Sequence, residues 1–415
     1  MIANKKIIIL GGGTMVHVKN HCSFCAPAYG TTAKQLQALC QELIPRMDTE
    51  LYLTKMAGGK KLETNDDIQA FLSTIIQDLS VKIVFMNAAI CDFKPTGIIA
   101  GKYAGRFKTS EGNITLEVTP TDKLLKSIRE KRKDIFLVAF KTTCGATPDQ
   151  QYVEGLRLLK TNSCNLVLAN DTKTHVNMII TPEEARYSVT TDRNLALQEL
   201  VSIAKFRSHL TFTRSTVVSG ERVAWDSELV YPSLRTVVDY CIQNHAYKPF
   251  MGKTAGHFAA KVDDHTFLTS MRKTNFNELA ANGLVKVVTN GPDTVIAYGA
   301  KPSVGGQSQR IIFSDHKDKE YDCIVHFHCP IRPGSLVPVV SQKEYECGSH
   351  ECGQNTSNGL RQFGNLSAVM LDQHGPNIVF NHSIDPMEVI CFIESNFDLS
   401  QKTDELPYDH QTWSL

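Results

Sequence analysis

Three histidines in the second half of the chain have the spacing of a metal site. His326 and His328 stand two apart in the run CIVHFHCP. In a strand, both side chains then leave the same face. His374 follows a second apolar run, in Met370-Leu371-Asp372-Gln373-His374-Gly375. Two same-face imidazoles and a distant third suit Zn²⁺ or another divalent metal with one coordination position open, whereas a lone histidine is more often structural. In the first half, Gly11-Gly12-Gly13-Thr14 follows Ile7-Ile8-Ile9-Leu10. Glycines let backbone N–H groups approach a phosphate, and the same run also suits a generic tight turn. It is not the G-x-G-x-x-G of dinucleotide sites, and no acidic residue is placed to hold a ribose, which disfavours a nicotinamide dehydrogenase. Cys22 and Cys25 have C-x-x-C spacing, but nothing around Phe24 has a thioredoxin-like pattern. Cys347 and Cys352, near Cys329 and His350, lack a second pair with ribbon-like spacing, so a second Zn²⁺ site is the weaker reading there.

The elements that must position these residues fall into two kinds. Short apolar runs at 7–10, 50–54, 81–87, 135–140 and 165–169 read as strands. They alternate with helical periodicities at 30–44, 66–78, 123–131, 150–160 and 195–204, with Thr31 or Thr32 as a cap for the first. That alternation predicts a doubly wound, Rossmann-like parallel sheet. Ligands bind at the carboxyl ends of such strands. The segments GGGT, NAAICDFKP, AFKTT and ANDT all lie there and should converge on one crevice. From residue 206 the pattern changes. A linker or short strands precede a helix at 233–245, then come strand-like runs HFAAKV, TFLTS, LVKVVT, TVIAYG, RIIFS and CIVHFH. A helix near 354–364 and strands at 368–371 and 377–380 complete a second, mainly antiparallel α/β domain. The expected division is 1–206 and 207–415.

Composition narrows the function classes. Lys plus Arg is 44 and Asp plus Glu is 43, a formal net charge of +1, which gives no general grip on nucleic acid or anionic lipid. No apolar run approaches the ~20 residues that span a bilayer. Twelve scattered cysteines, with no export signal, read as reduced thiols of a cytoplasmic protein.

Residues 1–204 resemble phosphopantothenoylcysteine synthetase, the nucleotide-dependent ligase of coenzyme A biosynthesis in the DNA/pantothenate metabolism flavoprotein family. The resemblance is carried by six short pieces in order. GGGT resembles the family's GGT, and Asn20-His21-Cys22-Ser23 with Tyr29-Gly30 resembles Asn-x-Ser-Ser-Gly…Gly. Ala88–Pro95 resembles Ala-Ala-Val-Ala-Asp-Tyr-Arg-Pro, and Arg106-Phe107-Lys108 with the LEVTPTDKLL that follows resembles Lys-Ile-Lys and its strand, turn and helix. Val138–Thr143 resembles Gly-Phe-Ala-Ala-Glu-Thr, and Leu166–Asp171 resembles Ile-Val-Ala-Asn-Asp. The resemblance implies that a carboxylate attacks a nucleoside triphosphate and that the acyl-nucleotide passes to the amine of cysteine. It implies Mg²⁺ with CTP or ATP, Lys108 and Arg106 on the triphosphate, and Asn170 on the acyl-nucleotide. Asp92 and Asn87 would place ribose, base or pantothenate. Gly11, Gly12, Gly13, Thr14, Asn20, Ala88, Ala89, Phe140 and Lys141 complete the implied site. The chain departs from the family at Met15–Lys19, at Cys22–Pro27 and at Thr142, where the family has an acidic residue.

Residues 233–395 resemble the class II aldolase/adducin family. Gly256-His257 stands for its Gly-Asn, Lys301-Pro302-Ser303 for the start of Lys-Pro-Ser-Ser-Glu, VHFHCP for Val-His-Thr-His-x-Pro, and Gln373-His374-Gly375 for Asn-His-Gly. The resemblance implies that His326, His328 and His374 hold a divalent metal that polarises a carbonyl. The glutamate is missing: Val304-Gly305-Gly306-Gln307 follows Ser303. Gln307 cannot exchange a proton at neutral pH. Glu344, Glu346 and Glu351 are the nearby carboxylates. The expectation is a homo-oligomeric ligase fused to a metal-binding domain, acting on a nucleoside triphosphate, a phosphopantothenate-like acid and cysteine or another amine. The alternatives are a metal-dependent lyase or dehydratase on a phosphorylated sugar-like compound, and a ligand-binding protein without turnover.

Overall fold

Ile7, Ile9 and Leu10 are wholly buried because their strand, Lys6–Gly13, has a neighbour on each side. The computed structural model describes residues 5–403, the side chains of Gln307 and Ser308 excepted. It divides into two compact units. The first runs to Pro182 and resumes over Tyr187–Ser208; the second comprises Glu183–Arg186 and the chain from His209.

The first unit is built on a seven-stranded sheet. From one edge, its order is Arg186–Thr190, Asn177–Ile180, Leu166–Asp171, Phe136–Thr143, Val81–Ala89, Lys6–Gly13 and Asp48–Leu53. The five strands from Leu166–Asp171 to Asp48–Leu53 are parallel, and Asn177–Ile180 runs antiparallel to its neighbour. The connecting helices begin where side chains cap them. Thr64 and Asp67 form a reciprocal capping box for Asn65–Gln77, as do Thr147 and Gln150 for Pro148–Asn162. Asp192 caps Arg193–Arg207. Thr31 and Thr32 do not cap the first helix, Thr31–Leu43. Its cap residue is Gly30, at φ 78°, which makes no side-chain cap hydrogen bond.

Two hairpins that the sequence pattern did not show stand apart from this sheet: Met15–Lys19 with Cys22–Cys25, and Phe93–Thr96 with Glu117–Pro120. Neither has a run of apolar residues to announce it. Cys22 and Cys25 lie three apart on one extended strand, so their side chains leave opposite faces and do not form a dithiol pair.

The second unit carries a ten-stranded sheet. Its path runs Arg214–Val218, Thr294–Tyr298, Leu284–Thr289, Thr266–Ser270, His257–Lys261, Cys323–His326, Gly375–Phe380, Leu366–Leu371 and Val339–Val340, with Arg361–Phe363 also on Leu366–Leu371. Pairing is antiparallel except at the two ends of that path. One expectation fails here. RIIFS is not a strand but the end of a helix, Gly306–Asp315. Its β-branched residues pack as a helix because it lies against a second one. Asp315 accepts from Gln354 and Ser357 of the helix His350–Gly359 at 2.9 and 2.8 Å. That helix also starts four residues before its predicted position, capped by Ser349, and ends before Gly364. A further helix, Pro386–Asn396, was not foreseen.

Candidate functional site

The first unit collects most of its sequence-predicted residues at the carboxyl ends of four neighbouring parallel strands. Register places Gly11, Gly12 and Gly13 opposite Asn87, Ala88 and Ala89, and Thr142 opposite Asn170. The glycine run is not a turn after a strand: the strand continues through Gly13. Packing demands these glycines. Gly12 sits at φ 98°, and a Cβ there would lie 2.2 Å from Thr54 Oγ1; one on Gly13 would lie 1.9 Å from the carbonyl of Ala26. The Gly13 N–H donates to Ala28 at 2.8 Å. Thr14 is buried too. Its hydroxyl donates to Asn65 at 2.6 Å and accepts from the Cys91 N–H at 2.9 Å, while the Asn65 amide donates to Cys91 O at 2.8 Å. Gly13 and Thr14 therefore shape the strand end from within it.

Asn170 is half-buried, and its Oδ1 accepts from Thr142 at 3.4 Å. The next residue fixes it in place. The Asp171 carboxylate is buried and accepts from the N–H groups of Gly145, Ala146, Lys173 and Thr174 and from the Thr143 hydroxyl. Burial alone would raise its pKa, but these donors hold it well below the usual carboxylate range. Phe140 is half-buried on the adjacent strand end, and Lys141 pairs with Glu154 at 3.3 Å.

Lys108 and Arg106 are exposed on the loop that links Phe93–Thr96 to Glu117–Pro120. Asn20 anchors that loop: its N–H and its amide donate to Ala104 O and Lys102 O at 3.0 and 3.1 Å. Lys102, on the same loop, and Lys55 clasp Glu63 at 2.9 and 2.8 Å. Hydrogen bonds from Lys55 and then Lys102 pull the Glu63 carboxyl down to about 2. Asp92 pairs with Lys123 at 3.0 Å, with both side chains more than half exposed. One residue was missed by the sequence reading. Arg193 is half-buried, donates to Asn177 Oδ1 at 2.7 Å, and lies 3.4 Å from the Thr32 hydroxyl in the uncapped first turn of Thr31–Leu43. Its position just after a helix cap gave no sign of this.

In the second unit the three predicted histidines meet. Their ligand atoms lie within 4.8 Å of one another, and all three are buried, at 1%, 8% and 2% exposure for His326, His328 and His374. His326 Nδ1 sits 2.7 Å from the carbonyl of Pro376, so it carries the proton and turns Nε2 towards Nε2 of His374, 3.2 Å away. Two imidazoles bound to one metal at about 2.05 Å and near-tetrahedral angles would stand roughly 3.3 Å apart. The donor set thus fits a divalent metal. Burial pushes His326 down to about 4, which keeps it neutral, as a ligand must be. Among the described residues no carboxylate or cysteine joins the group. Glu351 is turned to Thr211 at 3.0 Å, Glu344 is exposed, and Cys352 bonds to Gln342. Gln307 lies outside the described side chains.

The family model for the DNA/pantothenate metabolism flavoprotein C-terminal domain matches residues 43–205. The coenzyme A biosynthesis bifunctional protein CoaBC of Bacillus subtilis (strain 168) is 34% identical over 91 residues, 22% of this chain and 20% of its own length. The chain thus spans about a fifth of that relative. Among solved structures, the DNA/pantothenate metabolism flavoprotein from Streptococcus pneumoniae matches at 18% identity and TM-score 0.42, over 49% of this chain and 100% of that one. L-fuculose 1-phosphate aldolase matches at 14% identity and TM-score 0.28, over 45% and 95%. The family match thus places a DNA/pantothenate metabolism flavoprotein C-terminal domain over residues 43–205.

Proposed function

We propose that the first unit is a nucleotide-dependent carboxylate–amine ligase of the phosphopantothenate–cysteine type. The observation that carries this reading is the domain match over 43–205, which spans Asn87, Asp92, Arg106, Lys108, Phe140, Lys141 and Asn170. The chemistry is mostly positioning and charge neutralisation. The acid's carboxylate attacks the α-phosphate of CTP or ATP, with Mg²⁺, and pyrophosphate leaves. The amine then displaces the nucleotide from the acyl carbon. Asn170, set by Asp171 at a strand end, bonds the acyl-nucleotide. Lys108 and Arg106 neutralise the triphosphate from their loop. The uncapped N-terminus of Thr31–Leu43, with Arg193 beside it, suits an anionic group.

The test is pyrophosphate release from pure protein with Mg²⁺, 4′-phosphopantothenate, cysteine and either nucleotide. The expected result is acid-dependent release that Asn170→Ala abolishes. No release from folded protein with either nucleotide sinks the reading.

The buried histidine cluster favours a second activity, at a divalent metal held by His326, His328 and His374. Bound there, the metal supplies a Lewis acid for a carbonyl or oxyanion ligand. Metal-dependent cleavage or dehydration of a sugar phosphate supports a lyase. Stoichiometric metal without turnover supports a ligand-binding domain.

A further inference from the structure

A fourth imidazole stands against the histidine cluster. His257 pairs in register with His326 across two antiparallel strands, and it is buried. The two rings lie 4.7 Å apart, tilted by 33°. His257 Nδ1 accepts from the Gln309 amide nitrogen at 2.7 Å. The other edge of the ring faces Gly305. A Cβ at position 305 would lie 2.0 Å from His257 Cδ2 and 2.4 Å from Nε2, far inside van der Waals contact. Gly305 has ordinary right-handed dihedrals, φ −66° and ψ −9°, which any residue adopts. Its backbone does not require glycine; the ring beside it does.

We propose that His257 is a positioning residue of the metal site. Its ring fills the space a side chain at position 305 would occupy, and it braces His326 so that Nε2 points at His374. The proposal rests on the reading of the three histidines as metal ligands. It also gives a physical reason for the missing glutamate. Counted from Lys301, position 305 is where the resembling Lys-Pro-Ser-Ser-Glu pattern has its carboxylate, and here an imidazole from another strand holds that volume.

The test compares wild type, His257→Ala, Gly305→Ala and the double variant, each as the full chain. Metal-free protein is titrated with Co²⁺ and followed by its visible absorption; thermal midpoints of the metal-free forms check folding. His257→Ala is expected to weaken Co²⁺ binding about tenfold and alter the spectrum. Gly305→Ala is expected to weaken it by roughly 10- to 100-fold in wild type but less than about threefold in the His257→Ala background. Equal effects of Gly305→Ala in both backgrounds overturn the proposal, as does an unchanged affinity and spectrum in His257→Ala. Wild type that takes up no Co²⁺ overturns the metal reading itself, and that titration alone tells the two failures apart.

Discussion

The two candidate sites are built in opposite ways. In the first unit, the polar groups that would meet substrate lie at the ends of parallel strands and on a loop, half-buried or exposed, and their geometry is held by residues beneath them. In the second unit, the candidate ligands are themselves the buried ones: His326 ends an inner strand of a mainly antiparallel sheet, His328 follows it, and His374 lies in the turn before Gly375–Phe380. A site of the first kind tolerates surface change and fails when its supports fail. A site of the second kind fails when any one member is lost.

His326→Ala breaks this comparison most sharply. It should lower metal content, measured after gel filtration, by more than about 100-fold while pyrophosphate release by the first unit stays at the wild-type rate. Stoichiometric metal in that variant would end the three-ligand reading. The matching blow to the first unit is Gly12→Ala. A left-handed backbone and a clash with Thr54 should together destabilise it by about 2–4 kcal/mol in urea unfolding. Thr14→Val strands the Asn65 carbonyl oxygen and the Cys91 N–H, and should cost about 1–3 kcal/mol.

Smaller changes sharpen the contrast. Glu63 has a pKa lowered from 4.5 to about 2, so its contribution is present above about 4.5 and is lost as pH falls through about 2. Glu63→Gln should flatten the acid limb of the stability curve in that window, by about 1 kcal/mol after solvent screening of the exposed lysines. Asp92→Asn removes a surface ion pair and should change stability by less than about 1 kcal/mol. A large loss of ligase rate with that small stability change would place Asp92 on substrate; an unchanged rate would leave it a surface residue.

What could be read from the sequence follows from the range of the forces involved. The β-branched runs of the parallel strands are local signals and gave the right elements, whereas the strand expected to carry both His326 and His328 ends at His326, with His328 two residues beyond it. The third candidate, His374, was reachable because it follows an apolar strand. Non-local facts were not legible. Nothing in RIIFS shows that a helix starting at His350 will lie beside it. Nothing near Gly305 shows that His257, far away in the chain, stands against it. Gly11 to Gly13 looked like a turn because glycine usually breaks a strand; here the close approach of Thr54 and Ala26 reverses that preference.

The strand Lys6–Gly13 lies inside its sheet, between Asp48–Leu53 and Val81–Ala89. During synthesis it is made long before either neighbour. One edge of its Ile-Ile-Ile-Leu ribbon can pair once residue 53 has been added, but the other stays open until residue 89. At 5–20 residues per second, that interval is roughly 4–15 s. A nascent chain stalled between residues 53 and 81 would leave one edge of this apolar strand as an open template for other chains. The pace of translation through the segment from 14 to 89 therefore bears on the yield of soluble protein.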